Sequence, residues 1–144
     1  MEKEIKYYDG NGKLHRVDGP AVVFSTTKEW WIHGVRHRED GPAIEFANGE
    51  GHWYWNGEYH REGGPAISYS SGGEVWYCHG KRHRLDGPAF TSYNGDKQWF
   101  LNGKLHRVDG PAVEDVSGNK KYYLDGLEYS LEEWSRVKKI YFLK

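Results

Sequence analysis

One heptapeptide, His-Arg-x-Asp-Gly-Pro-Ala, is written five times in this chain, at 15–21, 37–43, 60–66, 83–89 and 106–112. Its single lapse is Gly63, which stands where the other copies carry Asp. The leading histidines His15, His37, His60, His83 and His106 are spaced 22, 23, 23 and 23 residues apart, and a worn sixth copy puts Tyr129 another 23 on. A fixed period in this range means one small supersecondary unit that buries its apolar face only against its neighbours, so the chain must be a stacked array.

Every unit carries a Gly at one place (Gly12, Gly34, Gly57, Gly80, Gly103, Gly126), preceded by Asn11, His33, Asn56, His79, Asn102 or Asp125. Asn-Gly and Asp-Gly are the strongest short hairpin signals, because a type I′ turn needs positive φ at both central residues, and histidine also tolerates that conformation. Ahead of each turn runs an aromatic strand. Tyr8, Trp30, Trp53, Trp76, Trp99 and Tyr122 share a face with Gly10, Ile32, Trp55, Cys78, Leu101 and Leu124, since strand side chains alternate. Between them a column of rings, Trp31, Tyr54, Tyr77, Phe100 and Tyr123, points the other way, with Asp9 in the first unit. After the motif, Val22/Phe24, Ile44/Phe46 and Ile67/Tyr69 alternate with Val23, Glu45 and Ser68, which predicts a strand wet on one side. The pattern weakens in the fourth and fifth units, to Phe90/Ser92 and Val113/Asp115.

The predicted fold is therefore all-β: an elongated antiparallel β-hairpin repeat array of about six units over 1–129. At two strands per unit it is roughly 55–60 Å long. A C-terminal capping helix and tail occupy 130–144. Ser130-Leu131-Glu132-Glu133 is a capping box, and the helix is expected over about 131–139 with Leu131, Trp134 and Val137 laid over the last hairpin. A net charge of −1 offers no general attraction to nucleic acid or anionic membrane. One cysteine, Cys78, excludes an internal disulfide framework and suits a reducing compartment. The chain shows neither a signal-peptide pattern at its start nor a membrane-length apolar run, so a cytoplasmic protein is expected.

Within the motif, Pro20, Pro42, Pro65, Pro88 and Pro111 suit strand entries, and the Gly before each suits unusual backbone angles. The Ala column implies a contact too tight for a larger side chain. His and Arg form two ladders. Neighbouring His rungs stand roughly 10 Å apart, too far to share a metal whose ligands lie ~2 Å away, so no metal and no cofactor is expected. Five near-identical motif copies, four of them with a His-Asp pair and none beside a singular nucleophile, argue against an enzyme. An Arg ladder beside rings can hold anions and stack bases. The candidate rungs are Arg38, Trp55, His60, Arg61 and Arg84, centred on the third unit, where Gly63 deprives Arg61 of its local carboxylate.

Asn11-Gly12-Lys13-Leu14-His15 and Asn102-Gly103-Lys104-Leu105-His106 resemble the middle of a MORN repeat, over about 7–129. That resemblance implies stacked hairpins in a slightly twisted sheet with an aromatic groove, used as an interaction scaffold. The sequence departs after the His, where Arg-x-Asp-Gly-Pro-Ala replaces the family's small Gly-x-Gly segment, and no membrane partner is expected. The full motif with its Ser-x-Glu-Glu-Trp ending is similar to a repeat family of tailed phages and large DNA viruses. The expectation is a non-enzymatic viral accessory factor that binds and blocks a host macromolecule, most readily a host protein, through Trp31, Tyr54, Tyr77, Phe100 and Tyr123. The alternative is a sponge for a small nucleotide-like immune signal. A second copy of the chain covering the ring face is a further possibility.

Overall fold

The computed structural model describes residues 3–143. Its backbone is one long antiparallel sheet of twelve strands in chain order, from Ile5–Lys6 to Leu127–Tyr129. The central units each supply two strands, one before the hairpin turn (Thr27–Glu29, Gly51–His52, Glu74–Val75, Lys97–Gln98) and one after the motif (Ile44–Phe46, Ile67–Ser68, Phe90–Thr91, Val113–Glu114). At ~4.8 Å per strand the sheet is roughly 53 Å long, and the array is built as its period requires.

Each aromatic strand is expected to run straight into its turn, and there the structure differs. Four two-stranded hairpins stand apart from the sheet: Trp31–Ile32 with Val35–Arg36, Tyr54–Trp55 with Glu58–Tyr59, Tyr77–Cys78 with Lys81–Arg82, and Phe100–Leu101 with Lys104–Leu105. The break falls at Trp30, Trp53, Trp76 and Trp99 because the backbone changes partner there. The Trp30 N–H donates to Ala43 within its own unit (2.7 Å), while the next carbonyl, Trp31, accepts from Arg16 of the preceding unit (3.1 Å). The motif loop fills the gap this opens. In the worn sixth unit Lys120–Leu124 runs unbroken for five residues against Leu127–Tyr129.

Turn chemistry explains the hairpins. His33, Asn56, His79, Asn102 and Asp125 all sit at φ between 46° and 50°, each followed by a Gly at +80° to +83°. Asn11 does not adopt this conformation. There Asp9 replaces the strand ring, its carboxylate accepts the Asn11 and Lys13 N–H groups at 2.8 and 3.0 Å, and the hairpin shrinks to one bridge, Tyr8 to Leu14.

The core lies on one face. Glu29, Ile44, His52, Ile67, Val75 and Phe90 are successive cross-strand partners, which puts their side chains in one row. Ile44, Ile67 and Val75 are buried, whereas Phe90 and Val113 are half-buried. The opposite row, Lys28, Glu45, Gly51, Ser68, Glu74, Thr91, Lys97 and Glu114, is polar or small. All five motif alanines (Ala21, Ala43, Ala66, Ala89, Ala112) are 0 % exposed, as their column required.

The α-helix Leu131–Val137 closes the array, with both halves of the Ser130–Glu133 capping box present. Trp134 is its buried residue and donates its indole N–H to the Arg107 carbonyl at 3.0 Å. Leu131 was expected beside it but is exposed at 57 %. The chain continues as a 3-10 turn over Lys138–Leu143, and the Tyr141 hydroxyl donates to Asp125 at 2.6 Å, which pushes that phenol up to about 12. Among the described residues no helix is long and apolar enough to cross a membrane.

Candidate functional site

The two ladders have separate tasks. Each motif His joins its unit to the next. The Nδ1 atoms of His15, His37, His60, His83 and His106 accept the backbone N–H of His33, Asn56, His79, Asn102 and Asp125 at 2.9–3.0 Å. An accepting Nδ1 fixes the neutral ring with its proton on Nε2. The residue forced to positive φ thus finds its hydrogen-bond partner in the preceding unit.

Each motif Arg works inside its own unit. Arg38, Arg61, Arg84 and Arg107 stack on Trp30, Trp53, Trp76 and Trp99 at 3.8–4.0 Å from the ring centre, and Arg16 stacks on Tyr7 at 4.3 Å. One guanidinium nitrogen of each donates to the carbonyl of the motif Pro, at 3.0–3.3 Å. The Nε of Arg16, Arg38, Arg84 and Arg107 donates to the motif Asp at 2.9–3.1 Å. The Gly before each Pro has no positive φ, which corrects the backbone reading of that position. It is Gly because a Cβ at Gly19, Gly41, Gly64, Gly87 or Gly110 would lie 2.6–3.0 Å from the guanidinium carbon. Trp, Arg and Gly form one sandwich.

On this face clefts open between successive motif loops. The cleft at the third unit, about 340 Å³, is lined by Arg38, Trp53, Trp55, His60, Arg61 and His79, with Glu39 and Glu62 on its edge. Four of the five candidate ligand rungs, Arg38, Trp55, His60 and Arg61, meet here. Arg84 does not. It lines a separate cleft with Trp99 and Arg107, two junctions further along the array, and pairs with Asp86. Arg61 makes no ion pair among the described residues, and Arg38 is claimed by Asp40 and Glu45. Trp55 is exposed at 38 % and meets His37 edge-on at 4.6 Å. Burial lowers the Arg61 guanidinium from its usual value, with Glu74 acting against it. Burial also lowers the His60 imidazole, and the His79 ring adds to that.

The ring column lies on the core face of the sheet. Trp31, Tyr54, Tyr77 and Phe100 follow Glu29, His52, Val75 and Gln98 by two residues, so they share a side with Ile44 and Ile67. They interleave with their hairpin partners. Arg36 lies 4.7 Å from Trp31 and 5.6 Å from Tyr54, Tyr54 meets Tyr59 at 4.4 Å, Tyr59 stacks on Tyr77 at 5.1 Å, and Arg82 lies 5.4 Å from Phe100. Tyr123 ends the column, its hydroxyl donating to Glu128 at 3.2 Å. All five rings are half-buried. His52 joins this row to the sheet, 6.0 Å from Tyr59, with Phe46 and Tyr69 packed around it.

Sequence reasoning missed Arg36, Tyr59 and Arg82, which alternate with the rings. The cross-strand position after each turn could have found them, since a type I′ hairpin fixes the register. It also missed His79 as a site residue. His79 stacks on His60 at 4.1 Å, as His33 does on His15, because the turn of one unit reaches the rung of the unit before.

No known family model matches the chain, and neither does any curated protein.

Proposed function

We propose that the chain is a non-enzymatic, MORN-like binding module whose aromatic groove takes up a segment of a partner protein. The observation that carries this reading is the continuous row of Trp31, Arg36, Tyr54, Tyr59 and Tyr77, held by stacking on the core face. Rings already ordered before binding lose little freedom on contact, and aromatic and Arg side chains are the usual anchors of interfaces. The motif resemblance supports an accessory factor of a phage or large DNA virus, acting in the host cytoplasm to block a host protein. Tyr69 (40 % exposed) and Phe24 (36 %) rim the same face. Replacing both with Lys should leave the melting temperature unchanged and abolish capture of the partner from host lysate. Equal capture by the wild type and this variant overturns the reading.

A second reading is favoured by Arg61, the rung without a carboxylate, in a cleft whose 340 Å³ volume suits a small ligand. Here the module sequesters an anionic, base-bearing molecule between Arg61 and Trp55. A ligand absorbing near 260 nm on denaturation of the purified protein supports it. A nucleotide panel that raises the melting temperature of neither the wild type nor an Arg61→Gln control removes it.

A further inference from the structure

We infer that the junction of the third and fourth units is a binding site for a single thiophilic divalent cation of the zinc type, held by His60, Cys78 and His79. One ligand atom from each of these residues lies within 4.8 Å of the other two. Tetrahedral zinc, with bonds of about 2.0–2.3 Å, places its ligand atoms roughly 3.4–3.6 Å apart. The closure of about 1 Å falls to His79, whose side chain is 64 % exposed and must swing out of its stack on His60 to aim a ring nitrogen at the metal.

The chain supplies its own comparison. Two junctions stack a turn histidine on a rung histidine with nearly the same geometry, His15 with His33 (4.1 Å, 23°) and His60 with His79 (4.1 Å, 25°). At the first junction the residue before the turn histidine is Ile32, and at the second it is Cys78. Only the second can therefore offer a thiolate with two imidazoles, a ligand set that selects zinc over harder cations. Glu58, its Oε2 3.7 Å from His79 Nδ1, adds negative charge where a cation would sit. It or water completes the fourth position.

Binding carries a defined chemical consequence. The Cys78 thiol proton leaves to solvent as the thiolate takes the metal. The His60 Nδ1 lone pair accepts the His79 N–H in the metal-free chain, so Nε2 holds the ring proton. Ligation through Nδ1 displaces that hydrogen bond directly. Ligation through Nε2 moves the proton to Nδ1 and displaces it too. One of five rung bonds is given up, and the His79 amide reports it.

The test titrates Co²⁺ and then Zn²⁺ into the reduced full chain. Wild type should take one equivalent of Co²⁺ with the near-ultraviolet absorption of a cobalt–thiolate bond, displaced by Zn²⁺, and the His79 amide resonance should shift. Asn56 and Asn102 already serve at the His79 position, and Leu101 at the Cys78 position. His79→Asn and Cys78→Leu should therefore fold normally, yet bind by about 10–100-fold more weakly or lose the thiolate band. His33→Asn should leave cobalt and zinc binding unchanged. A cobalt complex without thiolate absorption, or equal affinity in wild type and both junction variants, overturns the site.

Discussion

The guanidinium carbon of Arg61 lies 4.0 Å from the centre of the Trp53 ring. Arg84 makes the same stack on Trp76 at 3.8 Å, with Asp86 as an additional partner at 2.9 Å that Arg61 lacks. The two rungs thus separate stacking from ion pairing. Asp86 is 81 % exposed, so solvent screening leaves its pair only a small stabilising margin. Arg84→Ala should destabilise more than Arg61→Ala by that margin, measured by urea unfolding of both variants. A more damaging Arg61→Ala would show that the carboxylates contribute nothing.

The motif Gly is expected to matter only through its Arg. A Cβ at Gly87 meets Arg84 Cζ at 2.9 Å, and the residue needs no positive φ. Gly87→Ala should cost about 1–2 kcal/mol by unseating the stack and its hydrogen bond to Pro88. In an Arg84→Ala background the same change should cost no more than a few tenths. The four-protein cycle measures this coupling, and additive effects would assign the Gly to some other role.

Asp9 sets an acid limit on the first unit. Its carboxylate is lowered from 3.8 to about 2, chiefly by the hydrogen bond with the His33 ring at 2.7 Å and then by the N–H groups of Lys13 and Asn11. A depressed carboxylate contributes stability above its unfolded value and loses it as pH falls through its folded value. The contribution should be complete above about pH 4 and disappear towards pH 2. The Asp9 carboxyl carbon should titrate near 2 by NMR, and His33→Asn should move it upward. An unmoved titration would leave the backbone N–H groups as the whole cause.

The repeat made the stacking, the positive-φ turn residues and the sealed Ala column legible, because each is a local steric demand repeated in phase. The break at Trp30, Trp53, Trp76 and Trp99 was not legible. It depends on which neighbour each backbone group selects, and strand propensity runs straight through it. The role of Gly41 and its equivalents was hidden for a similar reason. Close approach of a guanidinium leaves the same single-letter trace as an unusual dihedral. In the third-unit cleft, Arg38, Trp55, His60 and Arg61 were found from one anomaly, Gly63. His79 escaped because its turn explained it fully until the neighbouring rung was in view.

Ala89 should be intolerant of enlargement. It is 0 % exposed, and its carbonyl accepts the Trp76 N–H at 2.6 Å where the chain changes partner. Ala89→Leu should cost about 1–3 kcal/mol, the usual range for overpacking a filled site. Leu85, four residues away and 84 % exposed, supplies the control, since Leu85→Ser should be nearly neutral. Thermal melts of both variants decide it, and a well-tolerated Leu at 89 would mean that the Ala column borders unfilled space.

The C-terminal helix should depend on one ring. Leu131–Val137 is seven residues long, too short to persist alone in water. Trp134 is 5 % exposed, meets Tyr122 at 4.9 Å and donates to the Arg107 carbonyl at 3.0 Å. Trp134→Ala should cost about 3–5 kcal/mol and remove the helical amide protection without disturbing the first units, since an array unravels from its ends. The Leu127–Tyr129 strand would then be an uncovered edge, so the variant should also self-associate with rising concentration. Hydrogen exchange and sedimentation read the two effects separately. A protected helix in the variant would show that the capping box and the 138–143 turn hold it unaided.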